Sequence, residues 1–133
     1  MKVNLLIDEK NSKDGYENIP LQQQSIDSVP DSACKEMMAD NVLEFVTKEV
    51  LQILIKKIRR GGTLEIRSPE SQEICRQYQI GALDFDETSD LLTGGRVRLT
   101  TLSQTRELLE GAGFQVQFAG INGPFYRITA TRQ

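Results

Sequence analysis

Histidine is absent from all 133 residues. Without an imidazole the chain has no side chain that titrates unperturbed near neutral pH, which excludes Ser-His-Asp and Cys-His catalysis and most zinc sites. Tryptophan is also absent, and cysteine is confined to Cys34 and Cys75, outside any C-x-x-C arrangement. Two buried reduced thiols are therefore expected rather than a bridge. No apolar run approaches the length that spans a bilayer, and the run from Val3 to Ile7 is too short for an export signal. No membrane partner is expected, and a cytoplasmic protein is. Lys and Arg number 16 against 19 Asp and Glu, a net charge of −3 with no dense basic stripe, which argues against nucleic acid as a partner. A chain of this length can bury roughly two-thirds of its unfolded surface, so residues 1–133 read as one domain that needs no staple.

The remaining pattern alternates strands with helices. Val3, Leu5 and Ile7 predict a first strand and Tyr16 to Leu21 a short second one ended by Pro20, with only residues 9–15 between them. That link is too short for the usual crossover helix. Gln22 to Ser25 and the Pro30 segment read as irregular, and Cys34 to Ala39 as a buried strand. From Val42 to Arg60, Val42, Val46, Val50, Leu54 and Ile58 recur every fourth position and predict one long amphipathic helix. Asn41 and Glu44 carry capping-box spacing at its start, and Gly61-Gly62 would end it before a strand at Thr63 to Arg67. The cations Lys56, Lys57, Arg59 and Arg60 suit its C-terminal dipole. Ser71 to Ile80 and Phe85 to Leu92 predict two short helices. Thr101 followed by Gln104 predicts the cap of a helix whose face is Leu102, Leu108, Leu109 and Ala112, closed by Gly111 and Gly113, and two alternating runs, Phe114 to Phe118 and Phe125 to Thr131, predict a C-terminal hairpin around Asn122-Gly123-Pro124.

Several phrases, taken in order, resemble class I S-adenosylmethionine-dependent methyltransferases. The family's L-N-L-G-C-G turn is matched by Val3-Asn4-Leu5-Leu6-Ile7-Asp8, its G-Y-x-N-V-D by Gly15-Tyr16-Glu17-Asn18-Ile19-Pro20, and its P-D-x-S by Pro30-Asp31-Ser32-Ala33. A-S-H-V-L-E-H resembles Ala39-Asp40-Asn41-Val42-Leu43-Glu44-Phe45. R-x-L-K-P-G-G-x-L resembles Ile58-Arg59-Arg60-Gly61-Gly62-Thr63-Leu64, and L-L-E-x-A-G-F is similar to Leu108-Leu109-Glu110-Gly111-Ala112-Gly113-Phe114. The resemblance implies an α/β, Rossmann-like methyltransferase sheet, truncated at its N-terminal side and closed by a C-terminal antiparallel hairpin.

It also implies where a cofactor would sit: Leu6, Ile7 and Asp8 at the first turn, and Asp40 and Asn41 after the central strand. Here the chain departs from the family. Leu6 and Asp8 stand where glycines would let backbone approach the ligand, and Asp8 adds an anion beside the cofactor's carboxylate. Pro20 stands where an acidic residue would accept the ribose hydroxyls, and Phe45 replaces the second histidine of the phrase. No cofactor is therefore expected, and S-adenosylmethionine is the one an active form would use. For Asp40-Asn41 a helix cap is weighed against a ligand contact. The cluster Asp84, Asp86, Glu87 and Asp90 lacks the spacing of a calcium loop and reads as a solvated helix face. Tyr16, Tyr78 and Tyr126, with ordinary pKa values near ~10, offer no ready base. Three readings follow. The favoured one is a methyltransferase-like domain that has lost the cofactor and acts as a structural, scaffolding or regulatory partner. The others are an active methyltransferase with atypical contacts, and a module for another small ligand at the same edge. An open sheet edge would permit a protein partner or self-association.

Overall fold

The computed structural model describes residues 1–7 and 9–133. Four strands, Lys2–Leu6 (β1), Glu17–Pro20 (β2), Cys34–Asp40 (β3) and Ile58–Pro69 (β4), run parallel, while Phe114–Asn122 (β5) and Phe125–Arg132 (β6) form the hairpin. Their spatial order is β2-β1-β3-β4-β6-β5, and β6 joins β4 antiparallel. Helices Gln23–Asp27 (α1), Lys48–Lys56 (α2) and Leu102–Gly111 (α5) flank the sheet. Ser71–Gln79 (α3) and Phe85–Leu92 (α4) form an excursion between β4 and α5, joined by an edge-on Tyr78–Phe85 contact. No helix among the described residues is long and apolar enough to cross a membrane.

Alternation along the strands decides which face becomes the core. Val3, Met37, Leu64 and Ala130 stand side by side across β1, β3, β4 and β6, as do Ala39, Ile66 and Ile128 one pleat further on. All are buried, together with Ile26 of α1, Leu51, Leu54 and Ile55 of α2, and Leu109 of α5. Each fully buried Val, Leu, Ile or Met of this layer contributes about 1.5–3 kcal/mol, so the shared layer fixes the register. The opposite face carries Glu36, Asp40, Glu65, Arg67 and Arg127, whose side chains with Lys2 remain 32% to 54% exposed. Ion pairs Lys2–Glu36, Asp40–Arg67 and Glu65–Arg127 link neighbouring strands there.

The link between β1 and β2 contains, among its described residues, only a 3-10 turn, Glu9–Asn11, in agreement with the length argument. Two asparagines hold it. Buried Asn4 donates Nδ2 to the Asn11 carbonyl and to Asn18 Oδ1, both at 2.9 Å. Asn18 in turn bonds the backbone of Lys13 and Tyr16. Side-chain amides thus do the satisfying that a helix would do for its own backbone.

Several expectations change. The long helix over Val42 to Arg60 is replaced by a 3-10 turn at Leu43–Phe45, the helix α2, and the first residues of β4. Thr47, whose Oγ1 accepts from Val50 N, is the cap of α2, and Asn41 has a left-handed φ of 56°. Gly61-Gly62 lies inside β4, where its pairing with β3 shifts register. A Cβ on Gly62 would stand 2.9 Å from the carbonyl oxygens of Cys34 and Arg59, so only glycine fits. Of the cations assigned to the helix end, Lys57 is buried and paired with Asp31 at 3.1 Å, and Arg59 and Arg60 belong to β4. Gln23 to Asp27 is helical rather than irregular. Both cysteines are free as expected, but only Cys34 is buried, because Cys75 neighbours the inward Ile74 on α3 and points outward.

Candidate functional site

The strand order places β1 between β2 and β3, so the chain leaves β1 in one direction and returns on its other side. Crevices at the carboxyl ends of strands open at such a reversal. The residues singled out in the sequence at β1 and β3 converge on this edge, though their states differ. Leu6 ends β1 beside Pro20 of β2 and is buried, with 6% of its surface exposed. Ile7 is 50% exposed. Asp8 lies outside the described residues. Asp40 ends β3, and its Oδ1 accepts from Arg67 Nη1 at 3.2 Å, while the Arg67 guanidinium stacks 4.0 Å from the centre of the Phe125 ring. Asn41 donates its backbone N–H to the Arg67 carbonyl at 2.7 Å. Its Oδ1 is buried and finds no donor among the described residues, a local cost of about 1–3 kcal/mol that this edge carries.

Directly behind the edge runs a polar network that sequence reasoning missed. Glu44, 1% exposed, accepts from Ser68 Oγ at 3.1 Å through Oε2. Its Oε1 stands 3.6 Å from Arg96 Nε, close enough for ion pairing but with no hydrogen bond made. The Glu44 backbone carbonyl accepts from Val97 N at 2.9 Å, and Arg98 Nε donates to the Leu43 carbonyl, so the loop after α4 is moored here. Burial pushes the Glu44 carboxyl above its ordinary value, against the opposing pull of its backbone and Ser68 hydrogen bonds and of Arg96 and Arg98. Beyond Ser68, buried Tyr126 shares a 2.8 Å hydrogen bond with Thr105 Oγ1, and burial raises its phenol too. Glu70 accepts from the backbone of Gln72 and Leu102, fastening α3 and α5 to the end of β4. The one signal for Glu44 was an acid set among Val42, Leu43, Phe45 and Val46, apolar neighbours that tend to be drawn into a core.

The network is supporting structure: Glu44, Ser68 and Tyr126 are sealed from solvent and touch no open surface. Among the described groups at the edge itself, the exposed or half-buried ones are Ile7, the Asp40–Arg67 pair and Asn41. They can hydrogen-bond and attract charge. Asp84, from the acidic cluster, caps α4 by accepting from Glu87 N at 2.7 Å. Glu73, held to about 2 by its hydrogen bonds from Arg76 and Gln77, belongs to an exposed pair on α3.

No protein-family model matches the chain, and no curated protein does. Solved structures do. An S-adenosylmethionine-dependent methyltransferase from Archaeoglobus fulgidus superposes with a TM-score of 0.63 at 16% identity, over 98% of this chain and 75% of that one. One from Mesorhizobium loti gives 0.64 at 13% identity, over 98% and 79%. One from Methanosarcina mazei gives 0.60 at 15%, over 98% and 81%. Likeness at these identities establishes a shared fold.

Proposed function

Starting from this class I, Rossmann-like methyltransferase fold, we propose that the chain has lost the S-adenosylmethionine site of its structural neighbours and acts through its surfaces, as a non-catalytic structural, scaffolding or regulatory partner. The observation that carries the reading is the pair Leu6 and Pro20. At the ends of β1 and β2, where a nucleoside cofactor would need bare backbone and a carboxylate acceptor, there stand a buried isobutyl group and a ring with neither side-chain acceptor nor N–H. Asp40 ends β3 rather than β2, and its Oδ1 already accepts from Arg67. The residues present therefore do not fit the cofactor, and no methyl-transfer step is derived through them. Partners, including a second copy, have two sheet edges available at β2 and β5.

A second reading is a different small ligand at the same edge, met by the half-exposed Asp40–Arg67 pair. Calorimetric titration with S-adenosylmethionine and S-adenosylhomocysteine tests the first reading. The parent chain should give no saturable heat, and a Leu6→Gly, Asp8→Gly, Pro20→Asp variant, checked for folding by circular dichroism, should gain binding. Micromolar saturable binding by the parent would sink the proposal and favour an active enzyme with atypical contacts.

A further inference from the structure

We infer that the trench between α2 and α5 binds an elongated amphipathic anion, with an apolar body and a carboxylate at each end. This holds whether or not the strand-end edge takes a cofactor. Two clefts, of about 590 and 380 Å³, share Gln52, Leu108 and Gly111 and so form one channel along the facing sides of the two helices. Volumes of this order accommodate small organic ligands. The buried side chains of Leu51, Ile55 and Phe114 contribute its apolar lining.

Charge is distributed along this channel against the trend of the molecule. Lys48 and Arg98 line one end, Lys56 and Arg132 the other, and Glu107 is the single acid of the lining. Four cations to one carboxylate inverts the ratio of 16 to 19 in the whole chain. Among the described residues none of the four lies within ion-pair distance of a carboxylate, whereas Lys57, Arg96 and Arg106 nearby in the fold all do. The two guanidinium groups are also held in place. Arg98 Nε donates to the Leu43 carbonyl at 3.1 Å, and Arg132 Nη1 to the carbonyls of Ile58 and Lys56 at 2.5 and 3.3 Å. A carbonyl fixes a guanidinium without cancelling its charge, so the cations meet an anion already positioned. Lys48 and Lys56 are eight residues apart on α2, about 12 Å at 1.5 Å per residue. Extended decanedioate separates its carboxylates by a similar distance.

The test is a heteronuclear NMR titration of the labelled chain with decanedioate, and in parallel with butanedioate, which is too short to bridge, and decanoate, which has one anionic end. Decanedioate should give saturable shifts centred on the amides of Gln52, Leu108 and Gly111, at an affinity about tenfold or more above either comparison. Lys48→Glu with Lys56→Glu, both at exposed positions, should abolish those shifts, and Lys48→Gln with Lys56→Gln should weaken them, while Arg59→Glu on β4 should leave them unchanged. Equal affinity for all three compounds, shifts that gather at Arg59 and Arg60, or undiminished binding by both lysine double variants would overturn the inference.

Discussion

Glu44→Gln pits burial against ion pairing at a single carboxyl. The side chain is 1% exposed, and among the described residues its only cation within 4 Å is Arg96, at 3.6 Å without a hydrogen bond. Burial wins, so the folded pKa lies above the ordinary 4.5. Between those two values the native state binds more protons than the unfolded one, and stability falls as pH rises through that window. Below pH 4.5 both states are protonated and the penalty vanishes. Above the folded pKa it is fully present. Glutamine keeps the shape and the Ser68 hydrogen bond and cannot ionise. Arg96 retains the carbonyls of Asp90 and Thr93, to which Nη1 donates at 2.7 and 2.6 Å. The variant should therefore match the parent within about 1 kcal/mol at pH 4. Its relative stability should then climb with pH at no more than one proton's slope, about 1.4 kcal/mol per pH unit. Urea unfolding followed by circular dichroism across pH 4 to 8, with equal m-values required, measures the difference. Exposed groups such as Glu73 are common to both proteins and cancel. A flat difference, or a parent that gains on the variant as pH rises, would show that Arg96 outweighs burial and refute the reasoning.

Two further outcomes are expected. Gly62→Ala must press a methyl within 2.9 Å of two backbone oxygens, which should lower stability by about 1–3 kcal/mol in denaturant unfolding; a change under about 0.5 kcal/mol would mean that the β3–β4 junction yields freely. Tyr126→Phe removes the partner of buried Thr105 and should lose about 1 kcal/mol, read from the urea midpoint, with little effect on the hairpin's register as seen by NMR.

The hairpin, the Thr101 cap and the missing crossover helix were legible because each rests on local chemistry: two-residue alternation, a hydroxyl three residues before an amide, and a count of residues. Thr101 Oγ1 does accept from Gln104 N, at 3.2 Å. The region from Asn41 to Gly62 was not legible, for a tertiary reason. Leu43, Leu54 and Ile58 supply apolar residues to the apparent helical stripe, but they are buried from three different elements, so the period reflects a common core rather than one helix. Glu44 imitated a capping residue because nothing in the sequence announces that Ser68, twenty-four positions away, will receive it. The convergence of Leu6, Asp40 and Asn41 could be anticipated from the order of the strands. The orphaned oxygen of Asn41 and the cationic trench could not, since both depend on how helices and loops settle over that order.

β6 sits between β4 and β5 although it is the last of the six to be synthesised. Until residues 125–132 have left the ribosome, β5 has no hydrogen-bonding neighbour and β4 presents a raw flank holding Leu64 and Ile66. The polypeptide therefore cannot complete its sheet in the order in which it is made. Its apolar centre waits for the final strand to slot home, and the interval before that insertion is when a nascent chain would most need shielding.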